Sequence, residues 1–168
     1  PDLFLYHPEE GRLTEKKYGY KPFVLIFAYR SYFLADNLDP VIQLTKKLEE
    51  QGVFAITLMA LSYRDEDIEK NIIDLLKNHE LASPKAIVNT TGFSIQSFNE
   101  TAEDGLFETF NVPAIQAIMA SCNQQTWFEG AFGLPPTDIA MNIALPEVDG
   151  KIITTAISFK EADEKDAL

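Results

Sequence analysis

The sequence predicts an α/β fold, an open and mainly parallel sheet of about five strands with helices on both faces. Three observations carry this expectation. Phe23-Val24-Leu25-Ile26-Phe27-Ala28 is a continuous apolar run without alternation, the pattern of a parallel strand covered on both sides. Apolar runs and amphipathic stretches then follow one another at short spacing, which suits right-handed crossovers between parallel strands. Finally, 168 residues without an internal repeat or a low-complexity block are enough for one sizeable core.

The elements follow in order. Residues 1–21 read as an irregular N-terminal arm, rich in turn and charged residues. Residues 22–160 read as a single α/β domain, opened by the strand at Phe23. Asp36 or Asn37 can cap a helix running to about Glu50, with Val41, Leu44 and Leu48 on one face. Gly52 ends it, and Val53 to Leu61 forms a second strand. Asp65 opens another helix, striped by Ile68, Ile72, Leu75 and Leu76. Ser83-Pro84 breaks the chain before a third short strand, Lys85 to Asn89. Residues 90–105 are a long polar connection. Val112 to Ile118 is a fourth strand, entered through Pro113, and Trp127 lies in a short helix or turn after it. Pro135-Pro136-Thr137-Asp138 starts a helix at about Thr137, and Leu145-Pro146 ends it or leads into a short strand. Asp149-Gly150 is a tight turn, and Ile152 to Phe159 is the last strand. Residues 161–168 form a charged tail.

The open sheet resembles a flavodoxin-like or periplasmic-binding-like domain. Ligands on such sheets bind beyond the carboxyl ends of the strands, near the switch in strand order. Here that edge holds Tyr29-Arg30-Ser31, Thr90-Thr91-Gly92 and the loop around Ser121 to Trp127.

Composition excludes several classes of function. Hydrophobic residues make up 46% and charged residues 24%, as in an ordinary soluble globular protein. The formal net charge of −12, with a pI of about 4.5, repels phosphate backbones and anionic membranes, so nucleic acid is not an expected partner. No apolar run approaches the roughly 20 residues needed to span a bilayer. No basic and apolar leader pattern is present at the start. Cys122 is the single cysteine, and no Cys/His cluster has zinc spacing. A cytoplasmic, reducing setting is the expectation. No glycine-rich phosphate loop follows the first strand, and no GxSxG elbow occurs. Asn89 stands where a phosphoacceptor domain would carry Asp.

The residues left as candidates are few. His7 offers an imidazole for a divalent metal or a proton, or is a packed arm residue. Arg30, at a strand's carboxyl end, can clamp a carboxylate or pair with one of the chain's many acids. Thr90, Thr91 and Gly92 can present hydroxyls and N–H groups to a ligand, or form a turn. Trp127 can stack on a flat macrocycle or anchor a core. Glu147 and Asp149 share a face if the segment is extended, and can then hold a metal or accept protons. Asp149-Gly150 also reads as turn chemistry, which leaves Glu147 as the more open candidate.

Several strings go beyond what folding demands. Tyr6-His7-Pro8, Phe27-Ala28-Tyr29-Arg30, Leu48-Glu49-Glu50-Gln51-Gly52, Asn89-Thr90-Thr91-Gly92-Phe93 and Val112-Pro113-Ala114-Ile115-Gln116-Ala117-Ile118 span most of the chain. Ala144-Leu145-Pro146-Glu147-Val148-Asp149-Gly150 is the most specific. Together they resemble the large subunit of the aerobic cobaltochelatase and, at one remove, the large (H) subunit of magnesium chelatase. Trp127 takes the place of a tryptophan in a Glu-Glu-Trp-like segment of that family, with Gln125-Thr126 instead of the acids. Ile157-Ser158-Phe159-Lys160 tilts the match toward the cobalt branch.

The resemblance implies that the 168 residues are one domain of a much longer subunit. That subunit would bind a tetrapyrrole and take part in ATP-dependent insertion of cobalt into a corrinoid precursor of cobalamin, as part of a ligase forming nitrogen–metal bonds. Cobalt or magnesium would be a substrate ion, ATP would be handled by AAA+ partner subunits, and this segment would hold no cofactor and have no activity alone. On this reading Arg30, Thr90, Thr91, Gly92, Trp127 and Glu147 are candidate substrate contacts and His7 and Glu147 candidate metal ligands, with no catalytic residue assigned. The alternatives are a magnesium chelatase H-type domain of a chlorophyll-type pathway, a stand-alone small-molecule binding module, and a partner-docking module.

Overall fold

A computed structural model describes residues 2–64, 67–92, 109–131 and 133–161. Most of the expected polar connection at 90–105 and most of the tail at 161–168 lie outside the described residues. Seven strands form one sheet, in the order β2-β1-β4-β3-β5-β6-β7. The strands are β1 (Leu3–His7), β2 (Gly11–Arg12), β3 (Val24–Tyr29), β4 (Ala55–Ala60), β5 (Ala86–Asn89), β6 (Ala114–Met119) and β7 (Ile152–Ser158). The five strands β4, β3, β5, β6 and β7 are mutually parallel, whereas β1 and β2 add an antiparallel edge. The expected fold class is therefore observed, with two strands more than expected.

Those two strands correct the reading of residues 1–21 as an irregular arm. Leu3-Phe4-Leu5-Tyr6 pairs with the outer side of β4, in the register Leu3↔Ala60 to Tyr6↔Thr57. Phe4 and Tyr6 pack edge-on against Phe33 on one face, and Leu5 is fully buried on the other. A four-residue apolar run is too short to stand out as a strand by periodicity. It holds here because a covered strand supplies its hydrogen bonds.

Helices cover both faces. Helices α1 (Arg30–Leu34) and α2 (Asp39–Glu50) lie on one side, where Leu38 and Val41 meet Phe4, Ala28 and Met59, and Leu44 and Leu48 meet Val24, Ile26 and Val88. Helix α3 (Ile68–Asn78) lies on the other, where Ile68, Ile72 and Leu76 meet Leu25, Phe27, Leu58 and Ile87. Alternate residues of β3 thus serve opposite cores, as the strand period of two requires. Among the described residues no helix is long and apolar enough to cross a membrane.

Past β6, α4 (Gln124–Glu129) is capped by Asn123, whose Oδ1 accepts from Thr126 N at 2.7 Å. Then α5 (Pro136–Ile139) passes through a π-helical segment, Ala140–Ala144, into α6 (Leu145–Val148). Leu145-Pro146 neither ends the helix nor leads into a strand, the two alternatives the sequence offers. Leu145 N bonds Ala140 O across the wide π turn, and this widening precedes the residue that has no N–H to donate and a ring to accommodate. Asp149-Gly150 stops α6, with Gly150 N bonded to Glu147 O and Gly150 at φ +69. The turn leads into β7 parallel to β6, so it is a helix stop and not a hairpin.

Candidate functional site

The switch in strand order falls between β3 and β5, because the chain leaves β3 for β4 on one side and returns past it to β5 on the other. Beyond the carboxyl ends of the sheet lies an open cleft of about 610 Å3, lined by Tyr32, Asn37, Asp39, Met119, Ser121, Phe159 and their neighbours. Its wall on the α2 side is the start of α2. Its other wall is made by the exits of β6 and β7, which are tied together by Ala120 N to Ser158 O (2.9 Å) and Lys160 N to Cys122 O (3.0 Å).

Two residues shape that second wall. The Trp127 ring lies 5.1 Å from that of Phe159, tilted by 50°, so the indole backs an aromatic face of the cleft. A Cβ on Gly133 would sit 3.7 Å from Trp127 Nε1, placing the Gly133 backbone against the indole. Asp138 is buried at the start of the α5 segment, and its Oδ2 accepts from Ser121 N at 2.7 Å. This carboxylate fixes the exit of β6. Sequence reasoning took Asp138 only as part of a helix start, and an acid in the first turn gives no sign of what lies across from it.

The switch point itself is closed by hydrogen bonds. Thr90 Oγ1 donates to Phe27 O (2.7 Å), and Thr91 Oγ1 donates to Asn89 Oδ1 (2.8 Å). Asn89 Nδ2 donates to Gln116 Oε1 (2.6 Å) and to Thr91 O (2.8 Å), and Gln116 Nε2 donates to Thr91 O (3.0 Å). All four side chains are buried. Tyr29 hydroxyl donates to Gly92 O at 3.1 Å, and burial pushes this phenol's pKa upward. The Thr90 hydroxyl therefore ties the end of β5 to β3, while Thr91 and Asn89 join it to Gln116 of β6, an arrangement that a satisfied buried network makes rigid. Gln116 and Asn89 are its other half, and only their polarity within apolar strands hinted at it.

The remaining candidates lie apart. Arg30 Nη1 donates to Asp2 Oδ1 at 2.6 Å, the salt-bridge alternative. His7 is buried at the end of β1, with Nε2 3.1 Å from Glu49 Oε1 and Nδ1 accepting from Glu9 N at 3.3 Å. Strands β4, β3 and β5 separate it from β6 and the 136–148 helix, so His7 and Glu147 are not brought together. Glu147 is exposed on α6, whereas Asp149 is buried at its end with Oδ2 2.9 Å from Lys151 Nζ. The shared face that an extended segment would give Glu147 and Asp149 does not form, because the segment is helical and positions two apart point in nearly opposite directions. Among the described residues no group of three His, Cys, Asp or Glu side chains is placed to hold a metal ion.

Comparison with known proteins gives a consistent result. A family model described as CobN/Magnesium Chelatase matches residues 1–168. The aerobic cobaltochelatase subunit CobN of Pseudomonas aeruginosa is 33% identical over 165 residues, covering 95% of this chain and 13% of that protein. The subunit of the same name from a Sinorhizobium species is 32% identical, covering 94% of this chain and 12% of its own length. A solved structure, the catalytic subunit of cobaltochelatase from Mycobacterium tuberculosis, superposes with a TM-score of 0.73 at 23% identity. It covers 99% of this chain and 14% of that one, and supports the fold. The chain thus spans about an eighth of the length of the relatives it matches.

Proposed function

The chain belongs to the CobN/magnesium chelatase family, and we propose that it is an internal domain of the tetrapyrrole-binding large subunit of an ATP-dependent metal chelatase. The ion is cobalt, the ring a corrinoid precursor of cobalamin, and the setting the cytoplasm. The observation that carries this reading is the whole-chain family match, joined by two named cobaltochelatase relatives at about one-third identity. Cobalt and magnesium are substrates of such a complex, and ATP belongs to AAA+ partner subunits.

Within that reading the cleft at the carboxyl edge is this domain's contribution to ring binding. A flat macrocycle needs an apolar face to lie on and polar groups at its rim to orient its substituents. Phe159, backed by Trp127, supplies the first. Asn37, Ser121 and Lys160 line or border the same cleft and supply the second. Thr90 and Gly92 act as a rigid support against β3, Thr91 acts with Asn89 against Gln116 of β6, and Arg30 acts through its pair with Asp2. Glu147, exposed on α6, is free to meet substrate or metal presented by another part of the subunit.

The first test is the intact mass of the native polypeptide carrying this segment. A mass many times 18.9 kDa is expected, and a mass near 18.9 kDa would overturn the large-subunit reading. The second is titration of that intact subunit with a corrinoid precursor, followed by the ring's absorbance. Saturable binding is expected, and its absence would leave a partner-docking role as the better account.

A further inference from the structure

The two edges of the sheet are built differently. The β2 edge is two residues long, Gly11–Arg12, preceded by Glu9 and Glu10 and begun by a glycine at φ +69. Short, charged and irregular edges resist pairing with other strands. The β7 edge runs for seven residues, and from Ile152 to Phe159 it carries no charge, no proline and no glycine. Ile152 is 56% exposed and Ile157 39% exposed. No strand pairs with its outer side among the described residues. Beside it, on the α2 face, lies an open groove of about 490 Å3 lined by Pro40, Leu44, Lys47 and Ile157.

In a chain with a net charge of −12, an uncharged β-branched edge of this length is a template for aggregation unless it is covered permanently. A transient partner would leave it bare for part of the time. A segment of the same polypeptide would not, and the relatives are about eight times longer than this chain. We propose that β7 is extended by a strand from another part of the same large subunit, whose alternate apolar side chains fill the groove between Ile157 and Leu44. Its main-chain groups pair with the outer edge of β7, and its side chains set the fit.

The inference rests on the chain being part of a long subunit, which the mass measurement tests separately. A photo-crosslinking residue is placed at Thr155, exposed on β7, in the full-length subunit, with Lys70 on α3 as a control position. Mass mapping is expected to join residue 155 to a peptide of the same polypeptide outside these 168 residues, with no such product from position 70. Crosslinking to a second copy, to an ATPase partner, or to nothing would overturn the proposal. Amide exchange on the unmodified full-length subunit gives an independent readout. Slow exchange throughout 152–158 is expected, and rapid exchange of alternate amides would sink the idea while leaving the family reading intact.

Discussion

His7 Nε2 lies 3.1 Å from Glu49 Oε1 and ties the last residue of β1 to the last turn of α2. The other ring nitrogen, Nδ1, accepts from Glu9 N, so Nε2 carries the proton when the ring is neutral. The imidazole is thereby occupied on both sides by the protein. The chain's other histidine does a parallel task on the opposite face, with His79 Nδ1 2.8 Å from Lys16 O. Both histidines fasten the N-terminal segment to a helix.

Replacing His7 tests this fastening role against metal binding. His7→Ala removes a buried ring and two hydrogen bonds and should cost about 2–3 kcal/mol. Glu49→Gln keeps an acceptor at a third-exposed position and should cost less than about 1 kcal/mol. Urea unfolding measures both. Were His7 a metal ligand, cobalt would raise the wild-type midpoint and not that of His7→Ala. The expected result is the same cobalt response in the two proteins.

Tyr63 makes a second sharp case. Its ring stacks on Phe27 at 4.8 Å, and its hydroxyl accepts from Ala28 N (3.0 Å) and reaches Ala28 O (2.9 Å) and Leu58 O (2.7 Å). Tyr63→Phe leaves these buried backbone groups without that partner and should cost about 1–3 kcal/mol. Burial raises the Tyr63 pKa well above its ordinary value near 10. The folded state therefore holds this proton more tightly than the unfolded chain. Its contribution is fully present below pH about 10 and is lost as pH rises toward the folded pKa. Tyr63→Phe should flatten the alkaline side of the stability profile, and an unchanged slope above pH about 10 would contradict the assignment.

Asp149 and Lys151 offer a test of buried charge. Both side chains are fully buried, with 2.9 Å between Oδ2 and Nζ. Burial lowers the lysine pKa, partly offset by the carboxylate. Removing one member strands the other, so Asp149→Ala or Lys151→Met alone should cost about 3–5 kcal/mol. The double variant should recover much of that loss, because apolar groups do not need the missing partner. Additive losses in the double variant would show that the two act independently.

These cases also show what the sequence carried and what it withheld. The parallel core was legible because β3 is apolar throughout, β4 is apolar but for Thr57, and α2 and α3 carry apolar stripes. Strand β1 was not, since Leu3-Phe4-Leu5-Tyr6 is held by pairing along β4, with β2 joining only at Tyr6 and His7. The passage of the 136–148 helix through Pro146 was hidden because a π turn has no marker in composition. At the site, Trp127 and Ser121 fell on the edge that topology singles out, whereas Phe159 was noted only as a strand end and as part of a motif. The partnership of Thr91, Asn89 and Gln116 joins residues 25 and 27 apart in sequence. Polar groups on neighbouring strands reveal such a link only once the register is known.

Trp127 and Phe159 distinguish the cleft from a mere irregularity at the sheet's edge. Phe159 borders the cleft, and Trp127 stands behind it at 5.1 Å. If the ring lies on Phe159, Phe159→Ala in the intact subunit removes the contact itself and should weaken corrinoid binding about tenfold, or about 1.4 kcal/mol. Trp127→Ala acts indirectly by letting Phe159 tilt, and should approach the same loss. Trp127→Phe keeps an aromatic brace and should recover most of the affinity. Absorbance titration gives the affinities, and near-ultraviolet circular dichroism checks that each variant retains its packing. Equal affinity in all three variants would remove the cleft from the binding surface and move ring recognition to other parts of the subunit. A loss for Phe159→Ala with none for Trp127→Ala would keep the cleft but deny the bracing role. The two residues answer different questions, because one faces the cleft and the other only the residue that faces it.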